Sequence, residues 1–572
     1  MTRGAKGCLL AAVGMMFILV VVAAGIMLTG RVRRDTILDL TISGEIVEDY
    51  EDTLAARMFR GKVTMLRDLT LALDTASRDE HVKGLVARIK PFQMGVAKIQ
   101  ELRDGIIAFR ASGKWAHVYL DSAGEFSSAN GLYYLATAFD EIWLAPSGDL
   151  NLHGLLGVTP FYRGLLDKLG IYPDMNSIGE YKNAKDIYTE KEMTPAHREA
   201  TTAYLKDWYD QIVAGIASER ELDAAQVDAI IQKGPFLAQE ALEMKLVDHL
   251  AYHDEFLDAM KTRNEGDLTL MRAEEYHAKT QSSRGTRIAV VTGMGVIFTG
   301  RSAQDPWGGA LMGSETVAQA LRDAREDSGV KAIIFRVDSP GGSALASDLI
   351  WREVNLAAKE KPVIVSHSDV AASGGYYVSM GATKVIAMPG TITGSIGVVA
   401  GKMVTKGFND WIGLNYEAIK MGNNATYYYS GKPYSDAERE VYWKFMHKIY
   451  DDFTGKVAES RGKTVEQVDA IGRGRVWTGA RAVELGLVDE LGGFTDAIRI
   501  ARAEAGIPED GDVKLVYLPA KRTFYQSLFW SEEETRAVVP MEITAALREI
   551  QHVMMLSREN IWLLADTPYL VP

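Results

Sequence analysis

At 572 residues the chain is too long for one hydrophobic core, so two or more domains are expected. Apolar content of 47% with 24% charged residues is that of a folded protein, and a net charge of −13 argues against nucleic acid as a main partner. One cysteine, Cys8, excludes an intrachain disulfide and a cysteine metal cluster.

The first element is the unbroken apolar run Cys8–Thr29, 22 residues long. It can span a bilayer and exceeds a usual signal-peptide core, so it reads as a signal anchor. Cys8 opens the run instead of following it, which argues against a lipoprotein attachment site. Basic residues on both sides (Arg3 and Lys6; Arg31, Arg33 and Arg34) leave orientation open.

Beyond the anchor the order is a strand over 36–40, a helix over 64–77 and an apolar strand over 82–89. The same order returns as a strand over 287–291, a helix over 316–326 and a strand over 330–337, at an offset of 248. Leu132-Tyr133-Tyr134 matches Gly375-Tyr376-Tyr377 at an offset of 243, and Pro146 and Gly154 match Pro389 and Gly397 at the same spacing. Ala241–Leu250 matches Ala482–Leu491 at 241. Slowly drifting offsets are what a tandem duplication with small indels leaves. Alternating strands and helices in each copy predict an α/β layered fold. The polar stretch 264–285 reads as a linker and 294–312 as a Gly-rich loop or lid. The tail beyond Leu518 predicts a helix over 541–555.

The motif with most chemical content is Ala371-Ala372-Ser373-Gly374-Gly375-Tyr376-Tyr377, fed by the apolar strand Pro362-Val363-Ile364-Val365. A serine at a strand-to-helix turn has an exposed hydroxyl, and glycine leaves room for an incoming carbonyl. Ser373 faces Asn130 in the first copy, and Ser339-Pro340-Gly341-Gly342-Ser343 faces Pro91-Phe92-Gln93-Met94, which has no glycine pair. The serine and the glycines therefore occur together in one copy and are missing from the other, which favours chemistry over a shared structural turn. Glycines after a strand can offer N–H groups to an oxyanion. Gly401-Lys402-Met403 lacks the other residues of a Walker loop. A serine needs a base. His367 is near in sequence but expected to be buried; His249 and His253 read as a solvated i, i+4 helical pair without the glutamate of a metalloprotease motif; a buried lysine is the remaining option.

These motifs, with Gly394-Ser395-Ile396-Gly397 and Tyr181-Lys182-Asn183-Ala184, resemble the signal peptide peptidase A family in its long tandem-domain form. These are Ser-Lys proteases of the Clp protease/crotonase superfamily. The resemblance covers the chain from the anchor to about Glu504. It implies an α/β fold of tandem duplicated Clp protease/crotonase-like domains behind a single N-terminal transmembrane helix. The implied division is a cytoplasmic stub and anchor (1–34), a first repeat carrying the base (35–263), a linker (264–285), a second repeat carrying the nucleophile (286–504) and a C-terminal extension (505–572).

The resemblance further implies Ser373 as nucleophile, Lys182 as base, Ser395 orienting the lysine, and Gly374 with Gly341 or Gly342 as the oxyanion hole, with no metal and no cofactor. Leu152 stands opposite Ser395 and Asn423 near the position opposite Lys182, so each copy would supply half of one site. Asn183 and Asp186-Ile187-Tyr188 depart from the family pattern after the lysine, which keeps Lys185 and Lys191 open as bases. The implied function is degradation of cleaved signal peptides and other short apolar peptides. The implied setting is the bacterial inner membrane, single-pass, with the body on the periplasmic side, as a homo-oligomer, a tetramer. The other readings are an acyl-CoA-processing crotonase-type enzyme and an inactive membrane scaffold of the same fold.

Overall fold

Two parallel sheets succeed one another along the chain, which the computed structural model describes over residues 32–50, 63–125, 127–304, 309–509, 511–520, 561–564 and 569–570. In chain order the first half gives β1 (Thr36–Val47), β2 (Val82–Gln93), helix α1 (Val96–Ala111), β3 (Trp115–Leu120), β4 (Glu141–Leu144), β5 (Tyr172–Ile178), β6 (His249–Leu250) and β7 (Thr269–Arg272). Six of these strands pair in the order β6-β4-β3-β2-β1-β7, all parallel. Such strands are covered on both faces and so read as near-continuous apolar runs. One face packs on the helices that carry Leu69, Leu73, Ile106 and Phe109, the other on Phe256 and Met260.

The second half gives β8 (Thr286–Met294), β9 (Val330–Ser339), β10 (Gly341–Ser343), helix α2 (Ala344–Ala358), β11 (Val363–Ala372), the single turn α3 (Gly374–Tyr377), β12 (Lys384–Ala387), β13 (Ile392–Gly394), β14 (Val398–Val404), β15 (Glu490–Leu491), β16 (Val513–Leu518) and β17 (Ile561–Leu564). Here the parallel order is β15-β12-β11-β9-β8-β16, strand for strand that of the first sheet. The duplication in the sequence is thus a duplication of the α/β unit.

A third sheet joins the two units. It runs from the strands at 303–304, 310–313 and 296–298 through β10, β17 and β14 to β5. Its last pair crosses between repeats: β14 lies antiparallel to β5 from Val398–Ile178 to Val404–Tyr172.

Several expectations are corrected. Residues 264–285 are not only a linker, because β7 pairs with β1 and a helix, Ala273–Thr280, packs beside it. The second repeat does not end at Glu504, because β16 pairs with β8 from Thr286–Val513 to Val291–Leu518. Both strands close a sheet edge; β7 has only two apolar residues in four, whereas β16, apolar at five of six positions, lies beyond the span of the family resemblance. Residues 294–312 hold three short strands of the third sheet. His249 and His253 do not share a helix: His249 is in β6, stacked on Trp143, and His253 opens the next helix. The apolar run Cys8–Thr29 and the helix expected over 541–555 lie outside the described residues. Among the described residues no helix is long and apolar enough to cross a membrane.

Candidate active site

β11 delivers the serine. Its apolar residues Val363, Ile364 and Val365 are fully buried in the sheet, and the strand ends at Ala372. Ser373 then turns the chain with φ 54° and ψ −114°, a conformation a non-glycine residue rarely adopts. Two backbone bonds hold it: Ser373 N–H donates to Gly394 O and Tyr377 N–H to Ser373 O, both at 2.8 Å. This is the sharp strand-to-helix turn that presents a nucleophilic side chain.

Lys182 comes from the other repeat. It lies four residues beyond β5, and the β5–β14 pairing carries it to the end of β11. Its Nζ is 2.5 Å from Ser373 Oγ, 2.9 Å from Ser395 Oγ and 2.9 Å from Ser395 O. Lys182, Ser373 and Ser395 are all buried to within 1% of full exclusion. Burial alone holds the lysine amine well below the ordinary lysine range, with no carboxylate opposing it. The three residues expected to form the catalytic group are therefore brought together around the Lys182 amine.

The glycine loop stands beside them. A Cβ on Gly374 would lie 2.6 Å from Ser347 Oγ and 3.1 Å from Gly342 N, so only glycine lets the loop close on the serine turn. The Gly341 N–H is engaged by Ser339 Oγ at 3.1 Å. Gly342 follows it in β10, paired with Ile297. In the gap between β10 and β14 lies β17, antiparallel to both: Gly342 faces Leu563, and Val399 faces Trp562. The groove next to Ser373 thus takes an extended backbone as a strand.

The other candidates lie elsewhere. His367 is fully buried, bonded to Ser379 Oγ through Nε2 at 2.8 Å, and burial pushes its pKa down to about 3. Lys185 pairs with Asp186 at 2.7 Å and Lys191 with Asp167 at 3.1 Å. Lys402 of the near-Walker sequence donates to the carbonyls of Tyr427 and Tyr429. In the first repeat Asn130, opposite Ser373, ties down the neighbouring loop through His153 N, Gly154 N and Gly154 O. Leu152, opposite Ser395, is core, and Asn423 is exposed. Among the described residues no group of three or more His, Cys, Asp or Glu side chains could hold a metal.

Sequence reasoning missed the loop 472–475, which fastens both partners of the serine. Arg473 O accepts from Tyr181 N at 3.0 Å, and Arg475 O accepts from Ser395 N at 2.8 Å. Gly474 has φ 82°, and a Cβ there would sit 2.4 Å from Lys182 N. The alternating Gly472-Arg473-Gly474-Arg475 was the only local signal.

The profile described as Peptidase family S49 matches residues 111–266 and 355–508, one segment in each repeat. Serine protease SPPA, chloroplastic, of Arabidopsis thaliana is 33% identical over 503 residues, covering 86% of this chain and 72% of that protein. Protease 4 of Salmonella typhi is 33% identical over 448 residues, covering 76% and 71% respectively. Protease 4 of Haemophilus influenzae is 31% identical over 456 residues, covering 76% and 72%. A buried lysine against a strained serine between two copies of an α/β unit is thus found in a chain with tandem matches to one peptidase family: the protein belongs to peptidase family S49 and is a serine protease.

Proposed function

We propose that the chain is a membrane-anchored endopeptidase that uses a Ser373–Lys182 dyad to degrade cleaved signal peptides and other short apolar peptides at the membrane surface. The carrying observation is the 2.5 Å approach of Lys182 Nζ to Ser373 Oγ in a site without a carboxylate. A neutral amine has two hydrogens and one lone pair. Ser395 O and Oγ take the hydrogens, which turns the lone pair to the Ser373 hydroxyl. Lys182 accepts the hydroxyl proton as Oγ forms a bond to the scissile carbonyl carbon. The oxyanion is met by the amides of Gly374 and of Gly341 or Gly342. The C–N bond then breaks, and the proton on Lys182 passes to the leaving amine. Water, deprotonated by the same lysine, cleaves the acyl ester and restores Ser373.

The antiparallel seat of β17 between β10 and β14 supports an extended peptide as substrate. The apolar run Cys8–Thr29 supports a single-pass anchor; that the body lies on the periplasmic side of a bacterial inner membrane is proposed from the family resemblance alone. We also propose that the working form is a homotetramer.

The test is labelling of the full chain in detergent with a fluorophosphonate, followed by peptide mapping. The adduct is expected on Ser373 and is expected to vanish in Ser373→Ala and Lys182→Ala. Folded wild type that neither takes the label nor cleaves Leu-rich peptides would count for the scaffold reading. Labelling that persists in Lys182→Ala would remove the lysine from the mechanism.

A further inference from the structure

The first repeat supplies a second buried lysine to the neighbourhood of the nucleophile. Between the pairs Val337–His367 and Ser339–Ala371, one residue of β9, Asp338, faces three of β11: Ser368, Asp369 and Val370. This bulge ends three residues before Ser373. Bulges beside active sites re-aim the strand that follows.

The bulge is held from outside its own strand. Asp338 Oδ1 accepts from Val370 N at 3.1 Å. The Asp369 carboxylate accepts from Gly95 N and Lys98 N, each at 3.0 Å, and so caps α1 of the other repeat. The cap position on α1 is Gly95, which has no side chain of its own to do this. Lys98 Nζ lies 2.6 Å from Asp338 and 3.2 Å from Asp369, and Lys98 is 8% exposed. Ser368 Oγ donates to Glu48, which with Glu101 holds the buried Arg336 of β9. Asp338 in turn leads directly into Ser339-Pro340-Gly341-Gly342.

The cluster forms once, with its two aspartates in the copy that carries the serine and its lysine in the other. At the offset of 248 the counterpart of Asp338 is Lys90, which is exposed, and the counterpart of Lys98 is Ala346. A framework contact common to the fold would recur in both repeats.

We propose that Lys98 is a positioning residue for Ser373: by clamping Asp338 and Asp369 it fixes the β11 bulge, and with it the strained turn at Ser373 and the start of the glycine loop. This rests on the reading of Ser373 as nucleophile. Strained backbone at a functional residue persists only where the surroundings over-determine it. Two carboxylates sharing one cation across the two strands that flank the site provide that constraint. The first repeat then contributes both the base and the alignment of the group it acts on.

The experiment compares full-length wild type, Lys98→Met and Gly95→Ala, with active sites titrated by fluorophosphonate and kcat and KM measured per titrated site. Gly95→Ala keeps all three charged groups but places a Cβ 2.3 Å from Asp369 Cγ, so it displaces the carboxylate. It carries the test even where Lys98→Met accumulates too little folded protein. The expected result in either variant is kcat lowered by about tenfold to a hundredfold, KM within about twofold, and the rate constant for labelling lowered by the same factor as kcat. A kcat per titrated site equal to wild type in both variants overturns the proposal, as does a loss confined to KM. If Ser373→Ala still takes the label, the failure is that of the nucleophile reading and not of Lys98.

Discussion

Lys182 brings its amine into the fold with no carboxylate to meet it, and this gives stability a pH signature. Its folded-state pKa lies below the unfolded value of 10.5. Between those two values the unfolded chain binds a proton the folded chain does not, so this residue makes stability rise with pH across the interval and fall as pH drops. Lys182→Met removes the cost. It is expected to abolish activity and to unfold at a higher temperature than wild type near neutrality, with the gap closing toward about pH 10. Thermal melts of the two proteins at several pH values check this, and a gap that widens with pH would contradict a neutral buried amine. The residues of this group were legible because each sits in a short local motif: Ser373 before its glycines, Ser395 between Gly394 and Ile396, Lys182 after Tyr181. Lys98, Asp369 and Gly474 were not, since their partners lie far away in the chain and only the folded contact gives them meaning.

Among the elements, the β5–β14 pair decides whether a site exists, because it places the lysine of one unit on the serine of the other. The loop 472–475 locks that placement. Gly474→Ala would both strain a left-handed residue and press a methyl on the Lys182 backbone. It is expected to leave the sheets folded, with an unchanged far-ultraviolet circular dichroism spectrum, while lowering kcat by about a hundredfold, the scale of an ångström's misplacement. Unaltered kcat in that variant would show that the lysine is positioned by the strand pair alone. β17 makes the second prediction at this scale. It occupies the strand position an extended substrate needs, so a chain ending at Ala520 is expected to show a KM several-fold lower for apolar peptides with kcat preserved. Added peptide corresponding to residues 558–568 should compete. A truncated chain with wild-type KM would mean that the strand does not contest the groove. The alternation of strands and helices was readable from apolar runs such as those of β9 and β11, which are buried on both faces. β7 reads as linker because it has only two apolar residues in four, and β16, apolar at five of six positions, falls in the extension because the family motifs end before it; the pairing of each is set by a distant strand, β1 or β8.

For the whole molecule the duplication itself points to the contact between copies. Within the chain β5 is bounded by Gly170 and Gly179, both left-handed at φ 67° and 99°. At an offset of 243 their counterparts Gly413 and Gly422 are left-handed too, at φ 76° and 97°. The segment between them, 415–421, is therefore the second repeat's version of β5. It has no strand partner among the described residues and exposes Tyr416, Ile419 and Met421 at 60%, 93% and 87%. The first repeat's version of β14, at the same offset, is 155–161, where Leu156 and Val158 are 59% and 45% exposed. The face of α1 that meets the second repeat also has an exposed counterpart, Leu345 and Leu349 on α2. Large apolar side chains grouped on a surface mark an interface. Here each surface is one that the chain already uses in its other repeat. On the proposed tetramer, segment 415–421 of one copy is expected to pair antiparallel with 155–161 of the next, in place of the pairing of Val158 with Tyr569 that the chain makes with itself. Such a contact would join two different patches, and it gives a ring where the rotation between copies closes. Transferring the β14–β5 register places Val158 opposite Ala418. In a Cys8→Ser background, Val158→Cys with Ala418→Cys is expected to give an oxidised ladder ending at four subunits. Either cysteine alone should give none, and Ile419→Asp with Met421→Asp should sediment as a monomer that retains its fold. A doubly substituted Asp variant that keeps the wild-type mass would place the interface elsewhere. A ladder stopping at two would mean that the ring closes with two copies, and would overturn the tetramer.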